Sequence, residues 1–263
     1  MRARALVAGG LAAALLTGCA QSVDPIERLG RKAAHRVGSY GPEGADGRPY
    51  RHWGLAAPLP PPPRVPARVA AGPGRVVPVV KRVPTSDKVV FLTYDDGAEQ
   101  DPRFVDLVRE LRLPVSMFLT DSVVGPGYGH FARLRSVGAS IQNHTLDHPA
   151  LRGLPYPGQR AEICGQQEKV RSRFGIRPRL FRPPYGTYDR TTLRAAADCG
   201  LSAVVLWSVA AEGGGPQRPL RAGDIVSVAS GEATGPTLTE RTTRVLREIQ
   251  RRGLTVARLE DYL

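Results

Sequence analysis

Val89-Val90-Phe91-Leu92-Thr93-Tyr94-Asp95-Asp96-Gly97 decides how the rest of this chain is read. Its apolar, β-branched start has the length and character of a buried strand. Asp95-Asp96-Gly97 ends the run with turn chemistry. Two neighbouring carboxylates at the end of a buried strand repel each other and are costly to desolvate. A cation must offset that, most simply a metal or a nearby arginine. Taken alone, Asp-Asp-Gly is more commonly a solvated strand-end turn. Residues further along the chain separate these two possibilities.

From Lys88 onward, short apolar runs alternate with amphipathic segments. Strands are expected over Val89–Tyr94, Val115–Thr120, Ser140–Asn143, Leu180–Phe181, Ala203–Trp207, Ile225–Val228 and Leu254–Ala257. Helices are expected over Arg103–Leu111, His130–Val137, Arg160–Phe174, Arg190–Asp198 and Thr239–Arg252, with a glycine-rich loop between Trp207 and Ile225. Repeated βα units mean an α/β fold with a parallel sheet. About seven strands suggest a barrel slightly smaller than the eightfold one, or an open sheet. In either form the site lies at the C-terminal strand ends, where Asp95 and Asp96 stand.

Upstream, the first residues do not belong to this pattern. Met1-Arg2-Ala3-Arg4 is a basic start, and residues 5–16 are small and apolar, too short to anchor in a bilayer and readable as a secretory signal. The run ends Leu16-Thr17-Gly18-Cys19, which resembles the bacterial lipobox. That resemblance implies a signal peptide over residues 1–18, a lipid on Cys19, and an exported protein tethered to the outer face of the membrane. If the lipobox is not used, the protein is secreted. Residues 19–86 read as a disordered Pro-rich linker, with Pro60-Pro61-Pro62-Pro63, Gly72-Pro73-Gly74, Pro78 and Pro84, and the folded domain is expected over residues 87–263.

The 263 residues carry a formal charge of +13, with arginine dominant and scattered. No basic stripe interleaves with aromatics, so nucleic acid is not an expected partner. Cys164 and Cys199 remain, in or at the end of predicted helices. In an exported setting they pair in a disulfide or stay as two buried thiols. Neither has the spacing of a cysteine metal site.

Two further constellations come directly after predicted strands. Asn143-His144-Thr145-Leu146-Asp147-His148 sets two histidines four residues apart, a spacing that can chelate one metal. With one carboxylate they form a facial triad with open positions, suited to Zn²⁺ and also to Fe²⁺ or Co²⁺. Phe181-Arg182-Pro183-Pro184-Tyr185-Gly186 holds an arginine and a tyrosine on a rigid turn, and that arginine can pair with a carboxylate. An iron oxygenase site is a further reading of the triad, but the βα pattern disfavours it because such oxygenases are typically antiparallel β folds.

Thr93-Tyr94-Asp95-Asp96-Gly97, then His144-Thr145 with His148, then Arg182-Pro183-Pro184-Tyr185, resemble the first three motifs of the NodB-type polysaccharide deacetylases, carbohydrate esterase family 4. The resemblance implies a distorted (β/α) barrel and a divalent metal, usually zinc. The implied substrate is an N-acetylated polysaccharide, peptidoglycan-like or chitin-like, from which N-acetyl groups are removed. Asp96, His144 and His148 would bind the metal, and Asp95 would be the general base. Arg182 would pair with Asp95, and the backbone N–H of Tyr185 would stabilise the oxyanion.

The later motifs break the pattern. The aspartate expected after Leu206-Trp207 is Ala210, and the histidine expected after Ile225-Val226-Ser227-Val228 is Ala229. Together these supply the general acid that protonates the departing amine in the family. Glu212, Glu232 and His130 are the candidate substitutes. The sequence therefore implies a deacetylase-family hydrolase of impaired or altered activity, with a non-catalytic, metal-containing glycan binder as the alternative.

Overall fold

The computed structural model describes residues 48–64, 77–97, 100–229 and 235–263, all within the unit Asp46–Leu263. The expectations on the signal segment, on Cys19 and on Glu232 fall outside these residues. In chain order the elements begin with α1 (Pro49–His52), β1 (Val79–Val80), β2 (Val89–Asp96) and α2 (Pro102–Leu111). Then come β3 (Ser116–Leu119), α3 (Asp121–Val124), α4 (Tyr128–Ser136), β4 (Ser140–Asn143) and α5 (Tyr156–Phe174). Next are β5 (Leu180–Phe181), α6 (Arg190–Asp198), β6 (Ala203–Val205), β7 (Val209–Glu212) and β8 (Gly215–Pro216). The chain closes with β9 (Ile225–Val228), α7 (Leu238–Arg251) and β10 (Thr255–Val256).

The sheet runs β1-β6-β5-β4-β3-β2-β9-β7-β8, and β10 pairs with β2. Every pairing is parallel except β7 with β8. β2 lies at the centre, with Thr93 opposite Ser116 of β3 on one side and Ser227 of β9 on the other. Its alternate residues serve two cores. Val90, Leu92 and Tyr94 pack outward beneath the helices, against Phe104, Leu107 and Leu246. Val89 and Phe91 point the other way and cluster with Phe118, Leu180, Val205 and Ile225 from four further strands. Such a cluster requires the sheet to curl round its inner face, so the α/β expectation of a distorted (β/α) barrel describes the fold. A strand buried on both faces also accounts for the unbroken apolar run.

All seven expected strands are present, and the differences lie at the edges. Trp207 is not in a strand, because β6 ends at Val205. The stretch expected as a glycine-rich loop contains the β7–β8 hairpin, whose Glu212–Gly215 pairing is short and glycine-bearing and so lacks strand periodicity. α5 begins at Tyr156, with a proline in its first turn, where a missing N–H is tolerated.

The linker expectation needs a correction. Trp53 and Leu55 are buried in the outer core, and Trp53 Nε1 donates to Glu110 Oε2 at 2.7 Å. Val77 and Val83 are buried as well, and β1 pairs with β6, Val79 opposite Val204. The prolines here do not prevent packing, because β1 lies at the edge of the sheet, where Pro78 needs no ladder donor. The packed part of the domain thus includes residues before 87.

Candidate active site

β2, β4 and β5 each end in one of the three sequence constellations, and because the strands run parallel, with β3 between β2 and β4, those ends share one edge of the sheet. Among the described residues, four of the five non-glycine residues with positive φ lie there: Asp96 (64°), Thr145 (72°), His148 (60°) and Tyr185 (58°). Residues in this backbone region are held there by their surroundings and concentrate at functional sites. Gly97 completes the turn after β2 with φ of 87°, and a Cβ there would stand 2.9 Å from Val124 Cγ2. This explains why glycine comes after the two aspartates.

Asp96 Oδ1 lies 3.3 Å from His144 Nε2 and 3.0 Å from His148 Nε2. The three side chains offer ligand atoms all within 4.8 Å of one another. His144 Nδ1 meets the carbonyl of Arg182 at 2.7 Å. Only a protonated Nδ1 can make that bond, so in the neutral ring Nε2 carries a lone pair aimed at Asp96. Two lone-pair-bearing atoms facing each other at that distance need either a proton on the ring or a shared cation, and Asp96 Oδ1 is buried without a hydrogen-bond partner. Burial on its own would raise the pKa of Asp96, but the contacts with His144 and His148 outweigh it and hold the carboxyl below its usual 3.8. Burial, together with His144, holds His148 below 6.5 against the pull of Asp96 and Asp95. A divalent metal requires an ionised carboxylate, and the direction of the Asp96 shift favours one. The donor set, two imidazoles and one carboxylate, fits a zinc-type catalytic centre.

Asp95 faces the barrel interior. Arg182 Nη1 donates to its Oδ1 at 2.6 Å, and Ser227 Oγ donates to its Oδ2 at 3.0 Å. Arg182 is fully buried, spreads over the Phe118 ring, and also donates to Thr93 Oγ1 at 2.9 Å and to the Val205 carbonyl at 3.2 Å. Tyr185 is the exposed aromatic at the rim, its ring centroid 4.8 Å from that of His148. The structure therefore gathers Asp95, Asp96, His144, His148, Arg182 and Tyr185 into one site.

Ala210 sits on β7 between Val209 and Ala211, both of which pack into the outer core, so it points to the opposite, inner face. Ser227 and Ala229 alternate in the same way with Val226 and Val228 on β9, and Ala210 lies opposite Ser227. Both alanines thus lie on the face that carries Asp95. Of the candidate substitutes, Glu212 is exposed on β7 and accepts from Gln217 Nε2 at 3.2 Å. His130 is buried on α4, where burial and Arg133 lower its pKa against Asp101, and its Nε2 has no partner. It belongs to the helical layer and not to the site. Cys164 and Cys199 form a disulfide between α5 and the end of α6.

The motifs assign no role to Ser227 or to Thr93, although Thr93 opens the first of them. The signal available for Ser227 is a hydroxyl interrupting Ile225-Val226-Ser227-Val228.

A parallel βα sheet here carries, on its rim, an Asp-His-His donor set that could hold a metal ion, beside a carboxylate held by an arginine. A family model described as polysaccharide deacetylase matches residues 82–204. SCO4760 of Streptomyces coelicolor, a protein of unassigned function, is 59% identical over 204 residues, covering 75% of this chain and 82% of its own. Chitin deacetylase of Amylomyces rouxii is 36% identical over 122 residues, covering 45% of this chain but only 28% of its own length. Among solved structures, wild-type BA3943, a CE4 family pseudoenzyme from Bacillus anthracis, superposes with a TM-score of 0.62 at 19% identity, covering 70% of this chain and 68% of its own. Residues 82–204 thus match the polysaccharide deacetylase family, and the fold is that of solved family 4 carbohydrate esterases.

Proposed function

We propose that this domain is a metal-dependent hydrolase that removes N-acetyl groups from an N-acetylglucosamine polymer, chitin-like or peptidoglycan-like, at reduced or altered efficiency. The observation that carries it is the convergence of Asp96, His144 and His148 beside an Asp95 already held by Arg182. A chitin deacetylase among the relatives supports the substrate class.

Asp96, His144 and His148 would hold the metal, with zinc the ion their donor chemistry favours. When bound, such an ion polarises the acetamide carbonyl and acidifies a water. Asp95 takes the proton of the attacking water as the water oxygen bonds to the carbonyl carbon. Arg182 and Ser227 hold that carboxylate from either oxygen and aim it. The Tyr185 N–H supports the oxyanion of the tetrahedral intermediate. The C–N bond then breaks, giving acetate and an amine that departs well only when protonated. No histidine stands at 229 to deliver that proton, nor an aspartate at 210 to orient one. Loss of a general acid costs about 10²–10⁴-fold, which slows turnover without abolishing it.

Ala210 and Ala229, both on the inner face, favour a second reading in which the domain binds metal and glycan without catalysis. Acetate release from N-acetylglucosamine oligomers by wild type and Asp95→Asn separates the two. Slow release lost in the variant supports the hydrolase, whereas glycan binding without release supports the binder. We also infer from Leu16-Thr17-Gly18-Cys19 that the mature chain is exported with a lipid on Cys19. Mass spectrometry of the mature N-terminal peptide tests this, since an unmodified Cys19 rules it out.

A further inference from the structure

The loop that carries both histidines rests on one turn of α5, Glu162-Ile163-Cys164-Gly165, and each residue of that turn is engaged. Glu162 Oε2 accepts two backbone N–H groups, from Leu146 at 3.1 Å and from Asp147 at 3.0 Å. These residues lie between His144 and His148. The Ile163 carbonyl accepts Asn143 Nδ2 at 2.9 Å, and Asn143 Oδ1 in turn accepts the Thr145 N–H at 3.0 Å. Cys164 is tied by its disulfide to Cys199. At Gly165 an added Cβ would stand 2.3 Å from Leu146 Cδ1, so the loop closes onto the helix at a point where the helix has no side chain. Glycine is disfavoured in a helix interior, and this contact gives its presence here a reason.

The loop needs such support. Thr145 and His148 both adopt positive φ, 72° and 60°, which persists only where neighbours hold it. Leu146 and Asp147, between them, would otherwise direct their N–H groups to solvent. A carboxylate oxygen accepting both fixes the spacing of the two imidazoles through the backbone.

We propose that the Glu162–Gly165 turn is a built cradle for the metal-ligand loop, and that Glu162 is its positioning residue. It sets the distance at which His144 Nε2 and His148 Nε2 converge on Asp96. The proposal rests on the metal reading of that triad. Glu162 touches neither metal ligand side chains nor substrate, and acts only through the loop.

Zinc titration calorimetry on metal-free wild type, Glu162→Ala, Glu162→Gln and Gly165→Ala tests it, with Glu168→Ala on the solvent side of α5 as control. Glu162→Ala is expected to weaken zinc about 10–100-fold, as loss of supports behind metal ligands generally does. Glu162→Gln, whose amide oxygen can still accept both N–H groups, recovers most of that affinity. Gly165→Ala weakens zinc because Leu146 must move, and Glu168→Ala leaves affinity unchanged. Circular dichroism of the metal-free proteins checks that each is folded, and if Glu162→Ala is not, Gly165→Ala decides the outcome. The proposal is overturned if Glu162→Ala and Gly165→Ala bind zinc as wild type does, or if Glu162→Gln binds no better than Glu162→Ala. Wild type that takes up no zinc overturns the metal reading itself, a result visible before any variant is made.

Discussion

Arg182 holds Asp95 from a fully buried position, its Nη1 2.6 Å from Oδ1, while Thr93 and the Val205 carbonyl hold the arginine. The adjacent carboxylates at the end of β2 are thus placed differently, Asp95 against a fixed guanidinium and Asp96 between two histidines in a donor set that could hold a metal. Removing one partner of a buried pair strands the other charge, at about 3–5 kcal/mol. Arg182→Met is therefore expected to lower unfolding free energy by about that much, measured by urea denaturation. Arg182→Met combined with Asp95→Ala should recover part of the loss, because the unpaired charge is then gone. Equal losses in the single and double variants would show that the pair is not coupled.

Ala229→His restores an imidazole on the inner face, one residue beyond the Tyr94–Val228 pairing. Its acetate release should exceed that of wild type, by about 10²-fold or more if the ring is oriented well. Ala210→Asp added to it should raise the rate again, since β7 presents residue 210 beside β9. Unchanged rates in both would place the proton donor elsewhere, with Glu212 next to be substituted.

Trp53 joins residues before the expected domain boundary to the outer core, and its Nε1 bond to Glu110 ties α1 to α2. Trp53→Ala should destabilise the domain by about 3–5 kcal/mol in denaturant unfolding, as large-to-small core changes do. A change within about 0.5 kcal/mol would restore the view of this segment as a spacer.

Asp189 caps α6 and accepts from the N–H groups of Gly153 and Thr192, each at 2.9 Å. Chiefly the Gly153 bond, against some desolvation, lowers its pKa from 3.8 to about 2. A carboxyl with a depressed folded pKa stabilises the fold above its unfolded pKa, and that contribution is lost as pH falls through the folded one. The Asp189 contribution should therefore be complete above pH 3.8 and fade towards pH 2. Asp189→Asn, a good cap that does not titrate, should flatten that part of the stability–pH curve relative to wild type. An identical acid slope in the variant would mean that Asp189 does not contribute to it.

The strands and the three constellations were legible because they are local: apolar runs of fixed period, and ligands a few residues apart. Asp95, Asp96, His144, His148 and Arg182 could be assembled from sequence since each ends a strand of one parallel sheet, which makes distant residues neighbours. Ser227 could not, because only the β2–β9 register sets its hydroxyl against Asp95. Glu162 gave no signal for the same reason, being one more polar residue on a helix until the loop lies against it. Prolines near residues 58–66 and 78 suggested a spacer throughout, and the burial of Trp53 and Val83 depends on partners more than fifty residues away in sequence. His130 misled because residue type carries no information about which layer of the fold it occupies.

Acetate release from an N-acetylglucosamine oligomer decides between a working metal hydrolase and its alternatives when it is measured on the protein as purified, stripped with chelator, and reloaded with zinc. Slow release is expected that stops on stripping, returns with zinc, and is absent in Asp95→Asn at every stage. Zinc-loaded protein that binds the oligomer yet frees no acetate, or release indifferent to both metal and Asp95, would contradict a metal-dependent hydrolase with Asp95 as its base.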